Sequence, residues 1–310
     1  MTAFSKGLAP LKPKIFMTPH CIEVPSFHSL PEAPVRLAEI ERRLARISHG
    51  ETVDFHFSQC NFIDSVGVVL LGLFQRRLRE RGVHVRFQHS TMTDEVKAGL
   101  IQNGFAFAVG ASERGLSGNS IPFREDLIQD EDSVIDYLKD EWLGRGWVAI
   151  DRETANAIAG KLLEIYVNAF EHGSSTVGVI SCGRFSPENS LLTLAVGDYG
   201  VGIPAKAKIY YKKSQVSGEE AMRWAFTIGM TTLLNQGPRG LGFDFLRNLV
   251  VANGGLLEVY SHDGYAKISR DEITFKSLST YVAATIIQVT LRCDQSIYHT
   301  PETGTTTFQW

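Results

Sequence analysis

The sequence predicts an α/β protein made of two units in series, and three observations carry that expectation. In the first third, the hydrophobic pattern switches repeatedly between the strand period and the helix period. At 111–126, ASERGLSGNSIPFRED is rich in glycine and serine with one proline, a composition that interrupts regular structure. Beyond it, strand-like alternation leads into two separate glycine-rich turns. A chain of 310 residues suffices for about two domains that each bury a core. The expected division is an arm at 1–24, a small α/β domain at 25–111, a linker and connecting helix at 112–144, a larger domain at 145–293 and a polar, threonine-rich, flexible tail at 294–310.

Composition narrows the function classes. Hydrophobic residues make up 44% and charged residues 21%, as expected of a soluble globular protein. A formal net charge of −3 gives no overall attraction to nucleic acid or anionic lipid. The N-terminal MTAFSKGLAPLKPKIF carries prolines and lysines where a signal peptide needs an unbroken apolar core. Apolar runs at 66–74 and 281–291 fall short of the ~20 residues that span a bilayer. The cysteines Cys21, Cys60, Cys182 and Cys293 are scattered without metal-site or disulfide spacing. They read as reduced thiols, most of them packing as small apolar groups, in a cytoplasmic protein with no membrane or nucleic-acid partner.

In the first unit, Leu37, Ile40, Leu44 and Ile47 recur at helical spacing before Gly50. Val53, Phe55 and Phe57 alternate with Asp54 and His56, which predicts a half-buried strand. Asp64 suits an N-cap, and Val66, Val69, Leu70, Leu73 and Phe74 return to helical spacing until Gly82. Val83, Val85 and Phe87 predict a second strand, 93–102 a helix, and Phe105, Phe107 and Val109 a third short strand. Strand, helix, strand, helix, strand implies a largely parallel sheet. Arg76, Arg77, Arg79 and Arg81 form the densest positive run, read as a solvated helix end that complements the helix dipole. No aromatic interleaving of the kind used by single-strand binders accompanies it.

The stretch VDFHFSQCNFIDSVGVVLLGLFQRRLRERGVHV (53–85) resembles the STAS family, found in sulfate transporters and anti-sigma-factor antagonists. The resemblance covers roughly 25–110 and rests on the strand, the Asp64-Ser65-x-Gly67 turn and the helix after it. It implies that Ser65 accepts phosphate from a partner kinase. Antagonists often carry a second hydroxyl at the next position, where this chain has Val66. Asp64 and Ser65 also suit a plain helix cap.

After the join, 131–143 reads as a helix of mixed charge, either packed on the second unit or connecting subunits. The second unit centres on LLEIYVNAFEHG (162–173). Ile158, Leu162, Ile165 and Ala169 mark a core-facing stripe, with Asp151 or Thr154 as cap. Glu164, Asn168 and His172 recur every fourth residue along another stripe. A carboxylate and a carboxamide one turn apart suit a general base and a metal ligand. His172 reads as structural, closing the helix before Gly173.

Val177 and Val179, then Leu192, Leu194 and Val196, alternate as two strands around a turn at 183–190. The second runs into VGDYGVGIP (196–204), which sets Asp198, Gly200 and Gly202 at a strand end. There a carboxylate can accept an amino hydrogen bond, and glycines let a flat ligand approach the backbone. A long segment at 205–236 with GMTT at 229–232 follows, ending in GPRGLGFDFLRNLVVANGG (237–255). A glycine turn feeding a helix N-terminus is a natural phosphate cradle. No strand precedes it, which excludes a Rossmann turn, and no Gly-Lys-Ser/Thr exists for a Walker loop.

In order, Glu164-x-x-x-Asn168, Asp198-x-Gly200-x-Gly202, GMTT, Gly240-x-Gly242 and Thr285 resemble the boxes of the GHKL ATPases. That family includes gyrase, the heat-shock chaperone, histidine kinases and MutL. The resemblance spans about 145–293, and NAFEHG is most similar to the anti-sigma-factor serine kinases. It implies an α/β sandwich with a mixed sheet and helices on one face, and a site for ATP and Mg²⁺. Asn168 would hold Mg²⁺, Asp198 would read the adenine amino group, and Thr285 would assist beside the adenine. Gly200 and Gly202 would shape the adenine pocket. Thr231, Thr232, Gly237, Gly240, Leu241 and Gly242, with a flexible 205–236 lid, would wrap the triphosphate. Glu164 would activate water or a protein hydroxyl for attack on the γ-phosphate.

Three functions fit these expectations. One is a serine/threonine protein kinase or ATPase in a partner-switching pathway, with the STAS-like unit as fused regulator of an unidentified protein partner. Another is a switch in which ATP drives closure and homodimerisation. The third is a scaffold that holds nucleotide without turnover. A histidine kinase is disfavoured because no histidine sits in a helical phosphoacceptor pattern; a gyrase-like machine is disfavoured because only about 17 residues follow Leu291 and Arg292.

Overall fold

The computed structural model describes residues 19–27, 33–111, 115, 118–171, 175, 177–227 and 243–293. Strands β1 (His20–Glu23), β2 (Thr52–His56) and β3 (His84–Phe87) form a parallel sheet in that order, linked by helices α1 (Ala33–Leu44) and α2 (Ser65–Glu80). The parallel sheet agrees with the alternating periods. β1 was not expected, and it lies within the segment read as an arm. Its four residues bury only Ile22, too little to display a period. Asp64 caps α2, its Oδ1 accepting the Gly67 N–H at 2.8 Å.

Helix α3 (Asp94–Gln102) forms as expected, capped by Thr93. Phe105–Ala108 is a short helix, α4, where alternation suggested a strand. Gly104 at φ +83° ends α3, and the Asn103 side chain accepts the Phe105 N–H at 2.9 Å, which starts a new turn. Phe105 and Ala106 are buried while Phe107 is exposed, so three apolar residues at alternate positions do not share a face.

The second sheet contains β4 (Ser120–Asp126), β5 (Val179–Ser186), β6 (Leu191–Asp198), β7 (Leu256–Ser269) and β8 (Ile273–Arg292). Its order is β4-β5-β6-β8-β7, and every pairing is antiparallel, which corrects the expected mixed sheet. β4 comes from the segment read as linker. Helix α5 (Glu131–Asp136) runs on as a π-helical stretch to Leu143, and Val134, Leu138, Trp142 and Leu143 are buried in the core of the second unit. That choice was open in the sequence; the helix packs on this unit.

Helices α6 (Arg152–Glu171), α7 (Gly202–Tyr211), α8 (Gly218–Ala225) and α9 (Phe243–Asn253) cover one face of the second sheet. Leu192, Leu194 and Val196 of β6 and Ile287 and Val289 of β8 meet them. The intervening residues Ala195, Ala284 and Ile286, with Ile180 and Cys182 of β5, point to the opposite face and share a core with α2. Helices therefore lie on both faces of this sheet, not on one. Val68 and Leu71 are as buried as Val69, Leu70 and Leu73, because α2 is packed between the two sheets.

Two glycines permit the close approach. A Cβ on Gly72 would lie 2.9 Å from the Phe123 ring and Ile180, and one on Gly197 would lie 2.7 Å from Val69. The arginine run is only partly solvated. Arg77 pairs with Glu41 of α1 at 2.9 Å and stacks 4.8 Å from the Tyr199 ring centroid; Arg81 donates to the carbonyls of Leu44, Ala45 and Ile47. Among the described residues, no helix is long and apolar enough to cross a membrane.

The seating of α2 is testable at Gly197. Valine favours strands, so propensity alone predicts that Gly197→Val stabilises β6. Overpacking against Val69 should instead lower the urea midpoint, costing about 1–3 kcal/mol with an unchanged slope. A raised midpoint would show that α2 does not occupy this face.

Candidate functional site

Helix α6 sets the first wall. Asp151 is its cap, Oδ1 accepting the Thr154 N–H at 2.7 Å and Oδ2 the Thr154 hydroxyl at 3.0 Å. Ile158, Leu162, Ile165 and Ala169 are buried as the stripe predicts. The Asn168 carboxamide projects beside this stripe. Its Nδ2 donates to the Glu164 carbonyl at 2.6 Å, which fixes Oδ1 outward, and Oδ1 accepts from Lys206 Nζ at 3.0 Å.

The sheet sets the second wall. Asp198 ends β6, directly opposite Thr285 of β8, and Thr285 is opposite Ser261 of β7. The Ser261 and Thr285 hydroxyls lie 2.9 Å apart, and Ser261 Oγ accepts the Ile203 N–H at 2.9 Å. That bond satisfies one free donor at the start of α7 and pins the helix to the sheet edge. Gly202 precedes it at φ +73°, and a Cβ there would lie 2.6 Å from the His262 imidazole. Four residues on, one turn along α7, Lys206 faces back to the same place.

Asn168, Asp198, Gly202 and Thr285 thus line one small pocket, together with Ile165, Ile203, Lys206 and Phe243. It encloses about 40 Å³ in this conformation, room for a water or two. Burial pushes the Asp198 carboxyl up to about 7, against the opposing pull of the Gly200 N–H and the Lys206 charge. Burial also pulls the Lys206 ammonium down to about 8, with Asp198 acting the other way. The pocket therefore holds an acid and a base that both titrate near neutrality, a pattern common at functional sites.

The remaining expected site residues fall elsewhere. Gly200 serves Asp198 through its N–H and meets His262 Nε2 with its carbonyl at 3.4 Å. Glu164 ion-pairs with Lys161 at 2.7 Å and is outside the set that lines the pocket. Thr231, Thr232, Gly237, Gly240, Leu241 and Gly242 lie outside the described residues, as do His172 and the 294–310 tail. The described part of the expected 205–236 lid, 205–227, is largely helical. α7 and α8 carry Ala207, Ala221, Met222 and Trp224 into the core. Ser65 is 8% exposed and lines a separate cleft of about 450 Å³ between α2, α3 and β5, with Asn103, Ser120 and Arg184.

Ser261 was not singled out by the sequence, and Lys206 stood there only among the lysines of the 205–236 segment, which read as a wet surface. The one signal for Lys206 was its position four residues after Gly202 in a helix; none existed for Ser261, whose partner is 24 residues away. No protein-family model matches the chain, and no curated protein matches it in sequence.

The half-buried Asp198 carboxyl predicts a pH dependence. Asp198 has a folded-state pKa above the unfolded value of 3.8, so the folded protein binds the extra proton between about 4 and about 7. Stability should fall as pH rises through that window, on the order of a few degrees in melting temperature. In Asp198→Asn the decline between pH 5 and 7.5 should shrink, as read by thermal melts. An unchanged profile would remove Asp198 from the buried position.

Proposed function

We infer that the chain is an Mg²⁺-dependent ATP-binding protein of the GHKL type, acting as an ATPase or serine/threonine protein kinase in a bacterial-type partner-switching pathway, with the STAS-like unit as its regulator. One observation carries this reading: Asn168, Asp198, Gly202 and Thr285, picked from three separate stretches of sequence, line the same pocket.

The donor set suits the ligand. Asp198 and Thr285 offer an acceptor and a hydroxyl side by side for an adenine edge, and the Asn168 carboxamide oxygen is a hard ligand of the type Mg²⁺ takes. The pocket must widen to admit the base, and Lys206 is the residue that closes it. Mg²⁺ and the Lys206 ammonium would compete for the same Asn168 oxygen. Bound Mg²⁺ would neutralise phosphate charge; Glu164 would act as general base once released from Lys161.

A second reading, an ATP-driven conformational or dimerisation switch or a nucleotide scaffold without transfer, draws on the Lys161–Glu164 pair, which leaves the carboxylate away from the pocket lining.

Calorimetric titration of ATP with and without Mg²⁺ tests the binding reading. Asp198→Asn should weaken ATP by about tenfold or more, since a hydrogen bond to a charged group is lost. Equal affinity in the variant would sink the adenine assignment. Phosphate release and transfer of labelled γ-phosphate to protein separate the two readings. Glu164→Ala should bind ATP but release no phosphate; turnover at the wild-type rate would end the general-base role.

A further inference from the structure

The outer face of the first sheet carries a second constellation, unconnected with the pocket above. Cys21 and Glu23 stand two residues apart on β1, so their side chains share a face, while Ile22 between them enters the core at 1% exposure. The parallel register sets Glu23 beside His56 and Cys21 beside Asp54 on β2. The four side chains therefore occupy the corners of one square on the sheet. One ligand atom from each of Cys21, Glu23 and His56 lies within 4.8 Å of the other two. Asp54, at the fourth corner, is engaged by Arg86, which donates to its two oxygens at 2.6 and 2.8 Å.

We propose that Cys21, Glu23 and His56 form a binding site for Zn²⁺ or a similar borderline divalent metal. A thiolate, an imidazole and a carboxylate are the ligand types zinc combines, and hard cations such as Mg²⁺ or Ca²⁺ do not choose thiolate. Tetrahedral zinc holds such atoms about 3.3–3.7 Å apart. The Cys21 sulfur already stands 3.9 Å from Glu23 Oε1, so small side-chain rotations close the set.

The surroundings favour ligation. Ser58 Oγ donates to Glu23 Oε2 at 2.9 Å, which leaves Oε1 turned toward the sulfur. The Arg86 pairing neutralises Asp54, so the neighbouring carboxylate adds no fourth ligand. Three protein ligands leave one position for water. Cys21 and Glu23 are exposed, so metal reaches the site from solvent, and the thiol proton passes to water as the sulfur binds. The other cysteines, Cys60 and Cys182 buried and Cys293 half-buried, do not join this cluster.

Cobalt is the probe, because thiolate ligation gives it a near-ultraviolet charge-transfer band. Titration of the full-length, reduced chain should give one equivalent of Co²⁺ with that band, displaced by one equivalent of Zn²⁺. Cys21→Ser should abolish the band, and His56→Gln should weaken affinity by at least tenfold. Ser58→Ala should weaken it by about tenfold. Cys293→Ser should change nothing. Cys21 is exposed, so its serine variant keeps the fold, as an unchanged melting temperature will show. Absence of the band at saturating Co²⁺, or its survival in Cys21→Ser, overturns the proposal.

Discussion

A helical stretch without a polar side cannot face water, and the first eleven residues of α2, Ser65–Gln75, are such a stretch, buried throughout. Val66, Val68, Val69, Leu70, Leu71, Leu73, Phe74 and Leu78 surround its axis and are all buried. Each side chain of this size contributes about 1.5–3 kcal/mol when removed from water, so leaving either flank open would be costly. The chain meets the demand by pressing one flank against the parallel sheet and the other against β5 and β6. The two units then share a core, and the position of β6, with Asp198 at its end, is set partly from the N-terminal side. Gly197, the residue before Asp198, is where Val69 and Leu73 are admitted.

The pocket at the end of β6 runs against the economy of the rest of the core. Elsewhere some buried polar groups find partners, as Tyr166 does with Ser181 and Tyr265 with Glu258, while Glu125 Oε1 and the Trp142 and Trp224 indole nitrogens find none. Asp198 and Lys206 instead sit near each other without full hydration, and both have their charged forms disfavoured by burial. Such an arrangement reduces stability, and groups perturbed in this way cluster at functional sites. The Ser261 bond to Ile203 and the left-handed Gly202 hold the start of α7 in place, so Lys206 is presented from a fixed base.

Much of this could be read from the amino acids, and the failures have physical causes. The inward stripe of α6 was legible because a 20-residue helix displays its period several times. Asp198 and Thr285 were legible as types at strand positions, although only the sheet register sets them side by side. β4 was hidden because it is an edge strand with Pro122 and a bulge between Ile121 and Arg124, both tolerated where one side of the ladder is open. The lid at 205–236 was implied by the family resemblance and not by periodicity, and within it α7 and α8 bury Ala207, Ala221, Met222 and Trp224. In α2 the extra apolar residues, Val68 and Leu71, were visible, but periodicity reports one face at a time and cannot announce a second partner more than 100 residues downstream. β1 was too short to register, and with it went the Cys21–Glu23–His56 cluster, which depends on strand pairing.

The sandwiched helix also bears on how the protein is made. Synthesis delivers the N-terminal half first, at about 5–20 residues per second. The parallel sheet can assemble on one side of α2 as soon as β3 emerges. The other side must wait for β5, β6 and finally β8, whose last residue is Arg292. For that interval the valines and leucines of this flank lack their native cover on the nascent chain, the kind of surface that aggregates. Translation speed through the second half thus sets how long the chain is at risk of aggregation.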